Sequence, residues 1–150
     1  MSKIHFQLVT PERTVLSQEL TSLSCPTSLG QITILPGHIP LVANLIPGEL
    51  HAKAEQEDYF IYVAGGFVEI REGNEVVILA DAAEHHFEID LDAAEAARER
   101  ARKAMAEETL TAEEYAKVAA SLEHSLTRLN VARKHAHRRT PITGEGVLSE

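Results

Sequence analysis

The sequence has little of what several kinds of protein need. Its 150 residues include no tryptophan, three tyrosines, four phenylalanines and one cysteine. A single cysteine cannot form a disulfide within the chain, so a small disulfide-held fold is excluded. Cys25 is predicted to be a buried thiol, since free cysteine is among the residue types most often buried. Carbohydrate-binding modules usually expose aromatic rings, and so few aromatic residues argue against that class.

Long apolar runs are also missing. No segment approaches the ~20 apolar residues that a membrane-spanning helix needs. The residues from Met1 to Phe6 contain no apolar stretch of the kind that a signal peptide carries. We therefore expect a protein that is cytosolic or sits on a membrane assembly that faces the cytosol.

Acidic residues outnumber basic ones, 23 to 14, which gives a net charge of -9. Binding to nucleic acid needs a basic face that neutralises phosphates, so a general nucleic-acid-binding role is excluded. The basic residues are concentrated late in the chain, and no acidic residue lies between 124 and 139. The basic residues of that segment are Arg128, Arg133, Lys134, Arg138 and Arg139.

Up to about residue 83 the pattern predicts short β-strands. Apolar and polar residues alternate as in a half-buried strand, and turns rich in Gly and Pro separate the segments. The predicted strands lie around Ile4–Leu8, Val15–Leu16, Leu23–Cys25, Ile32–Ile34, 49–54, Tyr59–Val63, Val68–Ile70 and Val76–Leu79. Many short strands with such punctuation indicate an antiparallel sandwich or barrel.

Beyond residue 89 the composition changes to that of helices. Asp90 is a suitable N-cap for a helix over 91–108, which is rich in Ala, Glu, Arg and Lys. Thr111 and Glu114 form a capping box at the start of a second helix. The large apolar residues of that helix recur at steps of three and four. They are Tyr115, Val118, Leu122, Leu126 and Leu129.

The fold class is therefore α+β, with a mainly β first part followed by a helical hairpin. We divide the chain into a β-domain over 1–86, a helical domain over 87–139 and a disordered tail over 140–150, with a linker near 84–88. Helices so poor in large apolar residues cannot form a core alone. We expect them to pack on each other, on the β-domain or on a partner.

Catalytic motifs are not found in the sequence. It contains neither a Gly-x-Ser-x-Gly nucleophile turn nor a phosphate-binding P-loop. Gly65-Gly66 indicates a close approach between strands. The adjacent His85-His86 pair and the other histidines lack the spacing and companions of metal ligands. We expect a protein that is not an enzyme and has no metal site.

Two segments are more specific than the rest. In the first, Pro36-Gly37 suits a turn that needs a fixed φ and then a positive φ, and Pro40 ends strand pairing. This predicts a rigid corner that exposes His38, although a purely structural corner explains the same residues. The second segment spans 60–83 and has the pattern of a pair of core strands.

Both segments resemble the epsilon chains of bacterial-type rotary (F-type) ATP synthases. The similar stretches are Ile34–Leu41, Pro47–Leu50, Gly65–Ile70 and Leu79–Ala83, and their order and spacing fit over most of the chain. The resemblance implies a flattened antiparallel β-sandwich followed by a C-terminal two-helix hairpin. It implies a non-catalytic rotor subunit of the central stalk, which couples the catalytic head to the membrane rotor ring. Such a protein is peripheral, on the cytoplasmic side of the inner membrane.

The resemblance also implies partners and the loops that meet them. The expected partners are the gamma chain of the central stalk and the ring of c subunits. In the family, loops at the lower end of the sandwich meet the ring. Here these would be the loop over 28–31, which includes Gln31, and the corner at Gly37 and His38.

Regulation is a further implication of the resemblance. In many family members the helices leave the sandwich, extend along the stalk and hinder ATP hydrolysis, and basic residues of the second helix then face the catalytic beta and alpha chains. The matching positions are Arg128, Arg133 and Lys134. The same cations also suit the C-terminal end of a helix dipole, and both explanations stay open.

Some family members bind ATP where the sandwich meets the helices. Here Ile89 and Asp90 match their motif and Arg100 is the candidate for its later arginine, but Ala93 replaces the central arginine. The missing guanidinium removes a bidentate phosphate partner. We therefore expect ATP binding that is millimolar or weaker, or none, and no other cofactor. Asp90 then serves as an N-cap.

Two other functions fit parts of the sequence. A free-standing β-sandwich binding module would use the helical tail for dimerisation, and monomeric behaviour would count against it. A small hydrolase would use His38 with Ser28 as its nucleophile. A His38→Ala variant that kept full activity would remove that alternative.

Overall fold

The computed structural model describes residues 2–107 and 109–137. The strands in these residues are β1 (Ile4–Val9), β2 (Thr14–Leu20), β3 (Ser22–Thr27), β4 (Gly30–Ile34), β5 (Leu41–Leu45), β6 (Gly48–Lys53), β7 (Asp58–Val63), β8 (Gly66–Arg71), β9 (Glu75–Ala80) and β10 (Ala83–His85). A 3-10 turn at His86–Glu88, called the hinge turn below, leads to α1 (Leu91–Met105) and α2 (Ala112–Lys134). The predicted tail over 140–150 and the basic residues Arg138 and Arg139 lie outside the described residues.

The strands form one sheet that folds back on itself. Neighbours follow the order β10-β7-β6-β3-β5-β8-β9-β1-β2, and β4 pairs with β3. The two strands at the ends of this order, β10 and β2, also meet: His85 Nε2 on β10 lies 3.0 Å from the carbonyl oxygen of Val15 on β2. The predicted β-sandwich followed by two helices is confirmed. One pairing, β1 with β9, is parallel and was not predicted.

The core of the β-domain follows from the two-residue period of its strands. In β1, Ile4, Phe6 and Leu8 are buried and the residues between them are exposed. Cys25 is buried, as predicted, and burial raises the pKa of its thiol to about 12. A thiol that stays protonated is a poor nucleophile, so Cys25 is a core side chain and not a reactive one.

The Gly65-Gly66 pair lies at the close approach between strands that the sequence predicts. Both residues have positive φ, 140° and 124°. A Cβ atom on Gly66 would lie 2.1 Å from the carbonyl oxygen of Leu79 on β9. Only glycine satisfies both conditions, because it lacks a Cβ and readily adopts positive φ.

Both predicted helix caps are confirmed. The Asp90 carboxylate accepts a hydrogen bond from the Ala93 amide at 3.1 Å. At the start of α2, the Glu114 amide donates to Thr111 Oγ1 at 3.1 Å, and the Thr111 amide donates to the Glu114 carboxylate at 2.9 Å. These bonds satisfy amides that have no partner inside the helix.

Some element boundaries differ from the prediction. Helix α1 ends at Met105, earlier than predicted, because the amide of Ala106 bonds back to the carbonyl of Lys103 and tightens the last turn. The segment 84–88, predicted as a linker, contains the end of β10 and the hinge turn. The connection between the domains is therefore structured.

Strand β5 is the clearest omission of the sequence-based prediction. It begins at Leu41, directly after Pro40, and pairs with β8. Its first two residues, Leu41 and Val42, are both apolar and both exposed. The apolar–polar alternation that marks the other strands is therefore absent here. The prediction failed because it depended on that alternation.

The helical hairpin attaches to the β-domain through a second, smaller apolar cluster. This docking cluster consists of Tyr62, Ile89, Ala94, Leu129, Val131 and Ala132. On α2, Leu129 is buried, whereas Tyr115 and Leu126 are 47% and 46% exposed. Of the predicted apolar stripe, Leu129 is the residue that belongs to the docking cluster. Among the described residues, no helix is long and apolar enough to cross a membrane.

Candidate functional site

Charged and aromatic side chains surround the docking cluster and join α2 to the β-domain. We call this set the docking junction. From the β-domain it takes Glu49, Phe60, Tyr62, Glu84 and His86, and from α2 and its C-cap it takes His124, Arg128, Lys134 and His135.

The docking junction contains a bidentate ion pair between α2 and β10. Arg128 Nε and one terminal nitrogen donate to the two oxygens of Glu84 at 3.0 and 2.8 Å. Both side chains are partly buried, at 27% and 31% exposed. A bidentate guanidinium–carboxylate pair fixes orientation as well as position. It therefore ties α2 to β10 in a defined geometry.

A tyrosine completes this part of the junction. The Tyr62 hydroxyl and His124 Nδ1 lie 2.9 Å apart. Burial is the main reason why the pKa of Tyr62 is raised to about 12; the charge of Arg128 opposes the rise and that of Glu84 adds to it. Tyr62 therefore stays neutral and contributes a hydrogen bond and ring area, not a charge.

The three cations predicted to face the catalytic chains are all paired within the chain. Arg128 pairs with Glu84, as described above. Arg133 pairs with Glu95 on α1, and Lys134 Nζ lies 3.5 Å from the Glu49 carboxylate on β6. Two of these pairs, those of Arg128 and Lys134, join α2 to the β-domain, and the Arg133 pair joins α2 to α1.

The hinge turn is held to the β-domain by its own ion pair. Arg13 donates to Glu88 at 2.7 Å, and the His85 amide donates to the same carboxylate at 2.9 Å. Burial acts to raise the pKa of Glu88, but the hydrogen bonds from Arg13 and from the His85 amide outweigh it and lower that pKa. The hinge turn therefore stays anchored at neutral pH, where Glu88 is charged.

His85 is kept neutral at the same place. Burial lowers the pKa of His85, although its bond to the Val15 carbonyl and the charge of Glu88 act to raise it. Nε2 donates to that carbonyl, and Nδ1 has no hydrogen-bond partner among the described residues. Protonation would place a second, unsatisfied N–H in the core, which is costly.

The two residues that were candidates for binding ATP, Asp90 and Arg100, do not lie close together. Asp90 caps α1 through the Ala93 amide, and Arg100 is exposed ten residues further along the same helix. At a rise of 1.5 Å per residue, that spacing is about 15 Å. The arginine that does reach the junction is Arg128, and it is already paired with Glu84.

The predicted ring-facing residues flank strand β4 at its two ends. Gln31 follows the turn from β3 to β4 and is exposed. Gly37 and His38 follow the other end of β4, where the Gly37 amide donates to Asn74 Oδ1 at 2.7 Å. Gly37 has the predicted positive φ, 88°, and His38 is only partly exposed. A partner that meets both loops must cover the length of β4.

Apolar side chains surround these loops. Leu29 is 95% exposed and Ile39 is 73% exposed. Monomeric proteins rarely expose large apolar side chains in adjacent groups, and such groups mark interaction sites. The others in this part of the chain are Leu35, Leu41, Val42 and Ile46.

The hydrolase alternative finds no support in the geometry. Ser28 and His38 lie at opposite ends of β4, so they do not form a nucleophile–base pair. The Nδ1–H of His38 donates to the Ile39 carbonyl at 2.7 Å. In the part of the chain that the structure describes, no group of three or more potential ligands could hold a metal ion.

Sequence reasoning missed the acidic half of the docking junction. Glu84 and Glu49 lie 44 and 86 residues from their partners Arg128 and His135. Both lie in strands, and although Glu49 is part of the Pro47–Leu50 stretch, no local pattern indicates the distant partner of either residue. The excess of cations in α2 was the one available signal, and it did not identify the partners.

Two family models together match almost all of the described residues. The model described as ATP synthase, Delta/Epsilon chain, beta-sandwich domain matches residues 3–86. The model described as ATP synthase, Delta/Epsilon chain, long alpha-helix domain matches residues 88–133. Each match falls on one of the two structural parts described above.

Individual proteins agree with the family models. The ATP synthase epsilon chain of Dehalococcoides mccartyi is 42% identical over 134 residues, 89% of this chain and 95% of that one. The epsilon chain of Herpetosiphon aurantiacus is 41% identical over 135 residues, 90% and 98% of the two chains. A chain of the Euglena gracilis mitochondrial ATP synthase, solved by cryo-EM, shares the fold with a TM-score of 0.75 at 22% identity, over 91% of this chain and 82% of that chain. The chain belongs to the ATP synthase delta/epsilon chain family.

Proposed function

We propose that this chain is a non-catalytic rotor subunit of the central stalk of a proton-translocating ATP synthase, and that its helical hairpin restrains ATP hydrolysis. One observation carries the regulatory part: Arg128 and Lys134 of α2 are paired with acids of the β-domain while the hairpin is docked. The same cations cannot also bind a partner. Docking and inhibition therefore exclude each other.

The way the hairpin attaches supports a detachable element. The docking cluster is separate from the core of the β-domain, so releasing the hairpin leaves that core closed. From α2 it buries two branched aliphatic side chains, Leu129 and Val131, and each such side chain stabilises by about 1.5–3 kcal/mol. Elements with few buried apolar contacts open at a lower free energy than the global unfolding.

The exposed loops supply the surface for the rest of the rotor. Gln31, Gly37 and His38 lie at the two ends of β4, and exposed apolar residues such as Leu29 and Ile39 lie next to them. We assign these loops to contacts with the gamma chain and the ring of c subunits. The protein would then be peripheral, on the cytoplasmic side of the inner membrane.

The catalytic beta and alpha chains are the proposed partners of the undocked α2. Arg128, Arg133 and Lys134 lie on its C-terminal half and would face acidic surface on those chains once the hairpin extends. The positive charges also suit the C-terminal end of the helix. The two roles are compatible, because one applies within the chain and the other in the complex.

ATP is not expected to control the hairpin. Asp90 is engaged as an N-cap and Ala93 offers no guanidinium, so the junction lacks the phosphate partner. We expect isothermal titration calorimetry of the isolated chain with ATP to give a dissociation constant that is millimolar or weaker. A micromolar constant would contradict this assignment.

Binding to an epsilon-depleted catalytic complex that contains the gamma chain tests the stalk assignment. Both the full chain and a chain ending at Glu88 should bind it tightly, because the exposed loops belong to the β-domain. A Leu29→Ser, Ile39→Ser double variant should bind more weakly. Failure of both unmodified chains to bind, together with dimerisation of the full chain, would favour the free-standing binding module.

A further inference from the structure

His135 lies at the C-cap of α2, where the helix meets the β-domain. Its ring is 2% exposed and stacks on Phe60 with ring centroids 3.8 Å apart. Nε2 donates to the Glu49 carboxylate at 2.9 Å. Histidine changes its charge near neutral pH. A charge change at this position would therefore act directly on the contact between hairpin and β-domain.

Several groups set the electrostatic field at His135. They are Glu49 and His51 on β6, Asp58 and Tyr62 on β7, Glu84 on β10, His86 and Glu88 on the hinge turn, Glu95 on α1, and His124, Arg128, Arg133 and Lys134 on α2. Three of the five acids are already neutralised in pairs: Glu84 with Arg128, Glu95 with Arg133 and Glu88 with Arg13. Glu49 is the carboxylate in direct contact with His135.

Burial and two neighbouring groups oppose a charge on His135. Lys134 lies 3.5 Å from the other oxygen of Glu49, but its side chain is 66% exposed and is therefore screened by water. The ring of His86 lies 5.5 Å from that of His135, so two charged rings would repel each other. Of the two rings, that of His135 is in hydrogen-bond contact with the Glu49 carboxylate, and a nearby negative charge favours the protonated form of histidine. Glu49, whose side chain is 23% exposed, accepts the hydrogen bond from Nε2 and is the contact that favours the charged ring.

We propose that His135 and Glu49 form a proton-controlled latch, in which protonation of His135 holds the helical hairpin on the β-domain and deprotonation loosens it. The charged ring makes an ion pair only when the hairpin is docked. When the hairpin is undocked, the ring is in water and titrates near its ordinary value of about 6.5. The stabilisation of docking is therefore fully present below that value and is lost as the pH rises above it.

The neutral His85 does not obscure this dependence. Because burial lowers the pKa of His85, that ring stays uncharged while His135 titrates. The latch is a property of the isolated chain. At alkaline pH the hairpin would be released more readily. Any effect of that release on ATP hydrolysis rests on the proposed function.

Hydrogen exchange of the isolated full chain tests the latch. Protection of the α2 amides over 125–132, corrected for intrinsic exchange rates, should fall roughly three- to tenfold between about pH 6 and about pH 8. His135→Gln keeps a hydrogen-bond donor but cannot be charged, and Glu49→Gln removes the carboxylate, so both should abolish the dependence. His137→Gln, an exposed histidine two residues on, is the matched control and should behave as the unmodified chain.

NMR titration of the histidine rings gives a second reading that needs no variant of the junction. The His135 ring of the docked chain should stay protonated to a pH above the ordinary histidine value of about 6.5. The proposal is overturned if His135 loses its proton at or below that value, if protection does not fall with rising pH, or if His135→Gln leaves the dependence intact. Since no ATP synthase is present in these experiments, their failure would leave the stalk assignment untouched.

Discussion

The Arg128–Glu84 pair offers a quantitative test of how the hairpin is held. Replacing Arg128 by Met keeps much of the side-chain volume and removes both hydrogen bonds, which measure 3.0 and 2.8 Å. Hydrogen bonds to charged groups contribute about 1.5–3 kcal/mol when shielded, whereas exposed ion pairs contribute about 0–1 kcal/mol. At 27% and 31% exposure, the pair should contribute about 1–2 kcal/mol to docking, a factor of roughly 5–30 in the docking equilibrium.

Hydrogen exchange of α2 in a double-mutant cycle isolates this contribution. Arg128→Met and Glu84→Gln should each lower protection of the α2 amides, and the double variant should lower it by less than the sum of the two. The coupling energy should be about 1 kcal/mol or more. Protection of the strands in the β-domain should be unchanged, because its core is a separate cluster.

Arg133→Met is the matched control for this cycle. Arg133 also carries a guanidinium on α2, but its partner is Glu95 on α1, within the hairpin. Its loss should leave docking to the β-domain almost unchanged. The reasoning would be refuted if Arg128→Met and Arg133→Met had equal effects, or if the cycle showed no coupling between Arg128 and Glu84.

Three further predictions concern packing, backbone and pH. Leu129→Ala should weaken docking by about 2–3 kcal/mol, seen as lost exchange protection in α2 with unchanged urea denaturation of the β-domain. Gly66→Ala should destabilise the β-domain by about 2 kcal/mol or more in urea denaturation, because its Cβ would lie 2.1 Å from a carbonyl oxygen. The control is Gly73→Ala, where the space is open, and it should lower the free energy of unfolding by less. Because burial lowers the pKa of His85, the stability given by its neutral form is present above about pH 6.5 and lost as the pH falls through the lowered pKa. His85→Gln should flatten the acid side of the thermal-denaturation profile, and an unchanged profile would contradict this.

The features that the sequence predicted well are those in which near neighbours interact. The caps at Asp90 and Thr111 join residues three positions apart, so a short stretch of sequence is enough to predict them. The strand periods in the core and the positive φ of Gly37 are local in the same sense. Strand β5 was missed because neither of its faces is continuously buried.

The docking junction was beyond sequence reasoning for a different reason. Its pairs join residues that are far apart in the chain, such as Glu49 with His135, and their distance depends on how the whole sheet closes. The excess of positive charge on α2 was visible, but the choice between an internal and an external partner was not. The docked structure shows the internal partners, and the external ones remain part of the proposed function.

Hydrolysis of ATP by an epsilon-depleted catalytic complex shows whether the helical hairpin restrains the enzyme. The complex is supplied either with the full chain or with a chain ending at Glu88, which keeps the β-domain and the Arg13–Glu88 anchor. The account predicts that both chains bind and that only the full chain lowers the hydrolysis rate. Binding of both chains with equal hydrolysis rates would contradict the claim that the helical hairpin restrains the enzyme.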